Sequence, residues 1–307
     1  MSGMANFQSV VSDVDLGDGP FASVKLTLDL KSTCFPFDGW KTNKPPAGQN
    51  WPADCDAFDR NLDVTVDDPL APGDPPAFDV IHAITPFGGP EHLAVDLTDL
   101  ANAHPGKHRI KVTIPTYSDG AGKVSGSNGG WNVSVHLEVA PGVAPRRVLA
   151  AIPLAWANHT DAADLPAIGF TVPSDATSAK LEVRTSGHGG GTGDMACSGP
   201  AEEFCHRMLD VLVDGTVLPA VDPWRDDCDC TRATYAPFSL TYCAENPCGA
   251  ISSVVASRAN WCPGTMTEPF VWEVTHAAGA HVFSWHFSTL AAGGSWQLSA
   301  IYYAYAD

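Results

Sequence analysis

An all-β chain built of antiparallel sandwiches is what this sequence predicts, on three observations. Apolar and polar residues alternate with period two in segment after segment. Helical periodicity is scarce. Turn formers are abundant, with 28 Gly and 25 Pro in 307 residues.

Taken along the chain, the first clear strand is Val24, Leu26, Leu28 and Leu30, alternating with Lys25, Thr27, Asp29 and Lys31. Leu62, Val64 and Val66 form a shorter run, and Ile110, Val112 and Ile114 another. Ser127-Asn128-Gly129-Gly130 is a turn signal ahead of Trp131, Val133, Val135, Leu137 and Val139. Ala140-Pro141-Gly142-Val143-Ala144-Pro145 places two prolines where no central strand can continue, so it marks a boundary. Residues 1–140 and 145–307 are then two domains, each large enough for one sandwich. Beyond the boundary, strands are expected at Leu181 and Val183, at Leu209 to Val213 with a turn at Asp214-Gly215, at Val282 to Phe287, and from Trp296 to Tyr305. The helical expectations are a turn at Asp99 to Ala103 and a short helix at Ala201 to Met208.

Composition narrows the partners. Hydrophobic residues are 44% and charged residues 17%, which suits a folded core rather than charge-driven disorder. With 17 Lys plus Arg against 35 Asp plus Glu, the formal charge is −18, which repels nucleic acid and anionic membrane surfaces. No apolar run is long enough for a membrane helix. The pI near 4.7 suggests an acidic working environment, where fewer carboxylates are ionised.

Nine cysteines, Cys34, Cys55, Cys197, Cys205, Cys228, Cys230, Cys243, Cys248 and Cys262, all lie in turn-rich stretches. Disulfides in an oxidising compartment are the favoured reading. Cys228-Asp-Cys230 and Cys243-x4-Cys248 lack zinc-pair spacing, and no ordered His pair completes a metal set. The odd count leaves one thiol free or paired between chains. The opening residues MSGMANFQSV lack a basic and an apolar signal region. The chain is either cytosolic or, as the cysteines favour, the mature form of a secreted or periplasmic protein.

Three stretches gather acidic, basic and aromatic residues: Cys55 to Arg60, Ala201 to Arg207, and Ser257 to Gly264. Each on its own reads most simply as a solvated loop anchored by a cysteine. Together with Ile84-Thr85-Pro86-Phe87 and Val95-Asp96-Leu97-Thr98-Asp99, however, Cys55-Asp56-Ala57-Phe58-Asp59-Arg60, Glu202-Glu203-Phe204-Cys205 and Arg258-Ala259-Asn260-Trp261-Cys262-Pro263-Gly264 form an ordered set. That set resembles the peptide-N-glycosidase F family of bacterial amidases, and spans the chain from about Cys34 to the C-terminus.

The resemblance implies two eight-stranded antiparallel jelly rolls side by side, with an active cleft at their interface. It implies an amidohydrolase that cleaves between the innermost N-acetylglucosamine and Asn, releases the intact N-glycan and leaves Asp. The implied catalytic pair is Asp59 and Glu203. Substrate-binding roles fall on Asp56, Phe58, Arg60, Arg258, Trp261 and, on the rim, Tyr117; apart from the resemblance, the Gly-rich segment reads as a loop lining the cleft, with His188 an expected sugar contact. The implied partner is the chitobiose core of an N-glycoprotein or glycopeptide, the enzyme is expected as a monomer, and no metal or organic cofactor is called for. The implied disulfides are Cys34–Cys55, Cys197–Cys205, Cys228 (or Cys230) with Cys262, and in addition Cys243–Cys248.

Two departures stand out. The family's third acidic residue falls on Pro115, with Asp119 a nearby substitute, and the Cys34–Cys55 loop is longer than expected. The competing reading is a non-catalytic carbohydrate-binding jelly roll using the same aromatics. A lectin has no use for two convergent carboxylates. Weaker patterns lead nowhere. Ser186-Gly187-His188-Gly189-Gly190-Gly191 has no Gly-x-Ser-x-Gly partner. Pro105-Gly106 separates His104 from His108, and no His-rich copper motif occurs.

Overall fold

The computed structural model describes residues 8–33, 35, 47, 56, 58–67, 77–116, 130–192, 194–229 and 251–306. The first half of the chain supplies β1 (Ser9–Asp15), β2 (Phe21–Ser32), β3 (Asn61–Val66), β4 (Phe78–Ile84) and β5 (Glu91–Asp96). A one-and-a-half-turn helix follows (Thr98–Ala103), then β6 (Lys107–Thr113) and β7 (Trp131–Pro141). The second half supplies β8 (Val148–His159), β9 (Ile168–Val172), β10 (Ser178–Thr192), β11 (Leu209–Val213) and β12 (Thr216–Val217). It ends with β13 (Thr265–Met266), β14 (Phe270–Val274), β15 (Gly279–Phe287) and β16 (Ala292–Tyr305).

Sixteen strands among the described residues divide into two sandwiches of eight. The first packs the sheet β1-β6-β3-β4-β13 against β5-β2-β7; the second packs β14-β10-β16-β8 against β12-β11-β15-β9. All pairings are antiparallel. The alternation seen in β2 is the reason for the first core: Val24, Leu26, Leu28 and Leu30 point inward at 2% exposure or less. They meet Leu62, Val64, Ile81 and Val112 from the facing sheet. The second core is more aromatic, with Phe283, Trp285, Phe287, Trp296 and Tyr302 sealed between its sheets.

The two sandwiches are not cleanly divided at 140–145. Residues 142–147 do link β7 to β8. Yet β13, from late in the chain, is the eighth strand of the first sandwich, pairing Thr265 with Ile84. Ala151, Ile301, Tyr303 and Tyr305 of the second half also join the first core. Asp99 fastens the same junction, accepting from Tyr305 Oη at 2.7 Å and Lys180 Nζ at 3.3 Å.

Two local expectations are corrected. The turn foreseen near Asp99 is the helix Thr98–Ala103. The helix foreseen over Ala201 to Met208 is only a 3-10 turn, Glu202–Phe204. There the Cys197–Cys205 bridge and the burial of the Glu202 side chain hold the chain out of helical geometry.

Candidate active site

Asp59 sits just ahead of β3, and Thr85, just past β4, fixes its position. The Thr85 hydroxyl accepts from the Arg60 amide at 2.8 Å and donates to the Phe58 carbonyl at 3.3 Å. The Thr85 amide in turn donates to the Arg60 carbonyl at 2.8 Å. One threonine therefore grips the backbone on both sides of Asp59. This is the structural work of the Ile84-Thr85-Pro86-Phe87 piece.

From the second sandwich, residues 258–262 are stitched into place from three directions. Ala259 donates its amide to the Glu203 carbonyl at 2.8 Å, and Gly187 of β10 donates to the Ala259 carbonyl at 3.0 Å. Arg225 and Arg258 exchange backbone bonds at 2.9 and 2.8 Å. The approach of β10 to this segment demands glycine at 187, where a Cβ would lie 2.6 Å from that of Ala259 and 2.8 Å from the Trp296 ring. The Cys228–Cys262 disulfide ties the end of the segment.

These two supports bring residues from separate halves of the chain together on Arg258. Its Nη1 donates to Glu203 Oε1 at 3.1 Å, and Nη2 lies 3.8 Å from Asp59 Oδ2. Nη2 also donates to the Ser253 carbonyl and hydroxyl at 2.6 and 2.7 Å. The guanidinium is sandwiched between the Phe204 ring (4.9 Å) and the Trp261 ring (4.2 Å). Fully buried, and in contact with both rings, Arg258 is a cation between two carboxylates that each keep about a quarter of their surface exposed.

Burial and the neighbouring Glu203 charge push the Asp59 carboxyl up to about 7, against the opposing pull of Arg258 and Arg60. Near neutrality, then, Asp59 can both take and give a proton, as a general acid–base group must.

The remaining expected site residues are distributed differently. Phe58 is half-buried with the Arg60 guanidinium 4.7 Å from its ring. Arg60 is only 6% exposed and turns Nε onto both oxygens of Asp56 at 3.1 Å. Asp56, expected to bind substrate, is a buried partner of Arg60. It has no exposed surface and also accepts from Trp131 Nε1 at 3.1 Å. Burial raises its carboxyl, and the bonds from Arg60 and Trp131 oppose the rise. Asp56→Ala leaves the Arg60 charge buried without this partner, so it is expected to cost about 3–5 kcal/mol. Urea denaturation measures this, and a loss below about 1 kcal/mol would show that Arg60 finds water instead.

Trp261, expected to bind substrate, is buried too. It is 1% exposed, donates Nε1 to the Gly187 carbonyl at 2.8 Å, and is packed between Arg258 and a stacked His188 ring 5.5 Å away. Its ring packs beneath the Arg258 guanidinium. Tyr117 and Asp119 lie outside the described residues, as do Cys34, Cys55, Cys230, Cys243 and Cys248. Of the expected disulfides, Cys197–Cys205 and Cys228–Cys262 are present.

A cavity of about 330 Å³ opens between the sandwiches, lined among others by Asn61, Asp63, Pro115, Trp156, His188 and Gln297; Asn61 lies two residues past Asp59, and neither Asp59 nor Glu203 is in its lining. Its aromatic wall is Trp156 of β8. The sequence pattern hid this residue because Pro153 interrupts the strand. β8 tolerates that proline because it is an edge strand with a register shift at Ala300/Ile301, opposite Pro153. A larger cavity of about 500 Å³ lies elsewhere along the junction, walled by Asp99, Lys180, Arg184 and Tyr303, and touches neither Asp59 nor Glu203.

Asp63, Asp79 and His82 each bring one ligand-type atom within 4.8 Å of the others. The grouping is accounted for by a His82 Nδ1 bond to Asp63 at 2.9 Å and by the nearby Arg184 charge, so no ion is assigned to it.

Comparison with known proteins now adds to this geometry. Residues 156–303 match the family described as peptide-N-glycosidase F, C terminal. Across 99% of its length the chain superposes on the structure of PNGF-II with a TM-score of 0.71 at 18% identity. It superposes equally on PNGase F, a glycosylasparaginase from Flavobacterium meningosepticum, with a TM-score of 0.70 at 15% identity, covering 91% of that chain. Recombinant peptide:N-glycanase F gives 0.68 at 16% identity, over 97% of this chain and 89% of the other. The chain spans only 62% of PNGF-II. At these identities the structural likeness establishes the fold, two jelly rolls side by side. No curated protein matches in sequence.

Proposed function

We propose that this chain, whose residues 156–303 match the peptide-N-glycosidase F family, is an amidohydrolase of that family that releases intact N-glycans from glycoproteins or glycopeptides. The observation that carries this reading is the Arg258 guanidinium, which joins Asp59 of one sandwich to Glu203 of the other. A sugar-binding module gains nothing from paying to gather two carboxylates around one buried cation.

In the proposed reaction, water adds to the side-chain carbonyl of the glycosylated Asn. Asp59 takes a proton from that water, and the C–N bond breaks as the leaving glycosylamine receives a proton. The products are Asp on the peptide and the glycosylamine of the intact glycan. Glu203 holds the far end of the network. Arg258 fixes both carboxylates and offsets their repulsion. The half-buried faces of Phe58 and Trp156 are proposed to carry the chitobiose core. The enzyme is proposed to act as a secreted or periplasmic monomer, consistent with the two disulfides among the described residues.

Incubation with a denatured N-glycoprotein tests the reading. Mass spectrometry should find free intact glycan and Asn converted to Asp; peptide that keeps its glycan would sink the proposal. The second reading, sugar binding without turnover, draws on Pro115, which replaces an expected acid on the cavity wall. It predicts chitobiose binding with no release.

The pH dependence follows from Asp59. As a base it works ionised, so kcat/KM should rise with pH and level off above about 7. A falling limb through the same range would make Asp59 the proton donor instead. The acidic range suggested by net charge concerns solubility and is separate from this titration. Arg258 lowers the Asp59 pKa. Arg258→Gln should therefore move the rising limb upward by about one pH unit or more. An unmoved limb would remove Arg258 from its proposed role.

A further inference from the structure

Beneath the cavity runs a hydrogen-bonded chain that the proposed reaction does not use. Asp63 Oδ1 accepts from His82 Nδ1 at 2.9 Å, His82 Nε2 meets Ser186 Oγ at 2.5 Å, and Ser186 Oγ meets His188 Nε2 at 2.6 Å. Asp63 and His82 come from the first sandwich, Ser186 and His188 from β10 of the second. Asp63, His82 and Ser186 are buried, with His82 and Ser186 at 1% exposure or less, whereas His188 reaches the cavity. Gln297 Nε2 braces the far end, donating to Asp63 Oδ1 at 2.8 Å.

We propose that Asp63, His82 and Ser186 form a relay that sets which nitrogen of His188 carries its proton, and so whether the cavity meets a donor or an acceptor at His188 Nδ1. Ser186 has one hydroxyl hydrogen and two imidazole neighbours. The bond to Asp63 fixes a proton on His82 Nδ1. When His82 is charged, its Nε2 also donates, to Ser186 Oγ. The serine must then donate to His188 Nε2, so the His188 proton resides on Nδ1. When His82 is neutral, its Nε2 accepts from Ser186. His188 then donates Nε2–H to the serine, and Nδ1 is left with a lone pair. Either arrangement satisfies every bond, and one proton on His82 selects between them.

The charges around the relay suit this. His188 is kept neutral, its pKa pushed down to about 3 by burial and by the charges of His82 and Arg258. For His82, burial opposes the charge, but the bond and charge of Asp63 and the charge of Asp79 raise its pKa on balance, against Arg184. The facing groups are thus Asp63 from β3, Asp79 from β4, and Arg184, Ser186 and His188 from β10. His188 Nδ1 has no hydrogen-bond partner among the described residues. In the donor state it suits an oxygen acceptor, such as the acetamido carbonyl or a hydroxyl of a glycan. That ligand rests on the amidohydrolase reading, whereas the relay does not.

Long-range 1H–15N NMR of histidine-labelled protein reads the tautomer directly, with His188 and His82 assigned by the signals missing from His188→Asn and His82→Asn. In the unaltered protein, the His188 proton should move from Nδ1 to Nε2 as His82 titrates. In Ser186→Ala, His82 should still titrate while His188 holds one state. A fixed His188 tautomer in the unaltered protein, or the same movement in Ser186→Ala, overturns the relay. Titration with N,N′-diacetylchitobiose should show several-fold weaker binding above the His82 titration, and no such step in Ser186→Ala. Equal steps in both proteins overturn the link to the cavity. A tautomer change with no sugar binding at any pH supports the relay and counts instead against the glycan reading.

Discussion

Asp59→Asn should lower N-glycan release by about 10²–10⁴-fold and leave the fold intact or firmer. The loss follows because an amide cannot accept the proton that the attacking water gives up. The stability gain follows from linkage. Burial and Glu203 raise the Asp59 carboxyl from 3.8 to about 7. Well below pH 3.8 the folded and unfolded chains are both protonated here, and the group costs nothing. As pH rises from 4 to 7 the unfolded chain ionises first, so folding loses stability, and above 7 the loss is constant. Its size is about 2–4 kcal/mol, nearer the lower figure because 23% of the side chain is exposed. Asn removes the titration. Thermal melts should therefore converge well below pH 3.8 and separate toward pH 7, with the Asn variant the higher. Retained activity would displace Asp59 from catalysis, and a lower melting temperature at pH 7 would show that the carboxylate holds the loop.

Activity and stability thus oppose each other at this residue, as expected where a carboxyl is kept ready to exchange protons. Arg258 limits the conflict. Without a guanidinium locked between Phe204 and Trp261, two carboxylates from different sandwiches would repel across the junction. The site accordingly depends on how the two sandwiches dock, and β13 and Asp99 fasten that docking away from the chemistry.

The strands were legible in the sequence wherever one sheet face is buried, because alternation then shows in the residues, as in β2. β4 gave no such signal. All seven of its residues are buried, yet Asp79 and His82 stand among them, so it reads neither as alternating nor as apolar. Asp59, Glu203 and Arg258 were legible only as an ordered set of short motifs. Nothing local separates Asp59 from Asp56, yet one faces the cleft and the other is sealed against Arg60. Trp261 shows the same limit, since an indole beside a site can be a binding surface or a support. The His82–Ser186 contact joins residues 104 positions apart on different sandwiches, and no spacing rule reaches it.

Glu202 and Glu203 make the sharpest case of that limit, and substitution should separate them completely. Glu202 has no exposed surface. Its carboxylate accepts from Arg207 Nε and Nη2 at 2.8 and 2.9 Å, from Trp296 Nε1 at 2.8 Å and from the Ala291 amide at 2.7 Å. Gly294 makes room for it, since a Cβ there would lie 2.6 Å from that of Glu202. Glu202→Ala orphans two neutral donors and leaves Arg207, itself 1% exposed, with only Asp194 as a charged partner among the described residues. The expected loss is about 3–5 kcal/mol, which lowers the melting temperature by roughly 10 °C. Glu202→Gln should also destabilise, because its NH₂ would face another donor. Glu203→Gln keeps the side chain's shape and an acceptor for Arg258 Nη1, so melting should shift by no more than about 2 °C. Glycan release should nevertheless fall about 10²-fold, because the charge that poises Asp59 is gone. The pH profile of the residual activity carries the signature. Glu203 raises the Asp59 pKa, so its neutral replacement should move the rising limb downward, opposite to Arg258→Gln. If both glutamate variants melt alike, or if Glu203→Gln leaves the limb in place, the two neighbours do not divide structure from chemistry in this way.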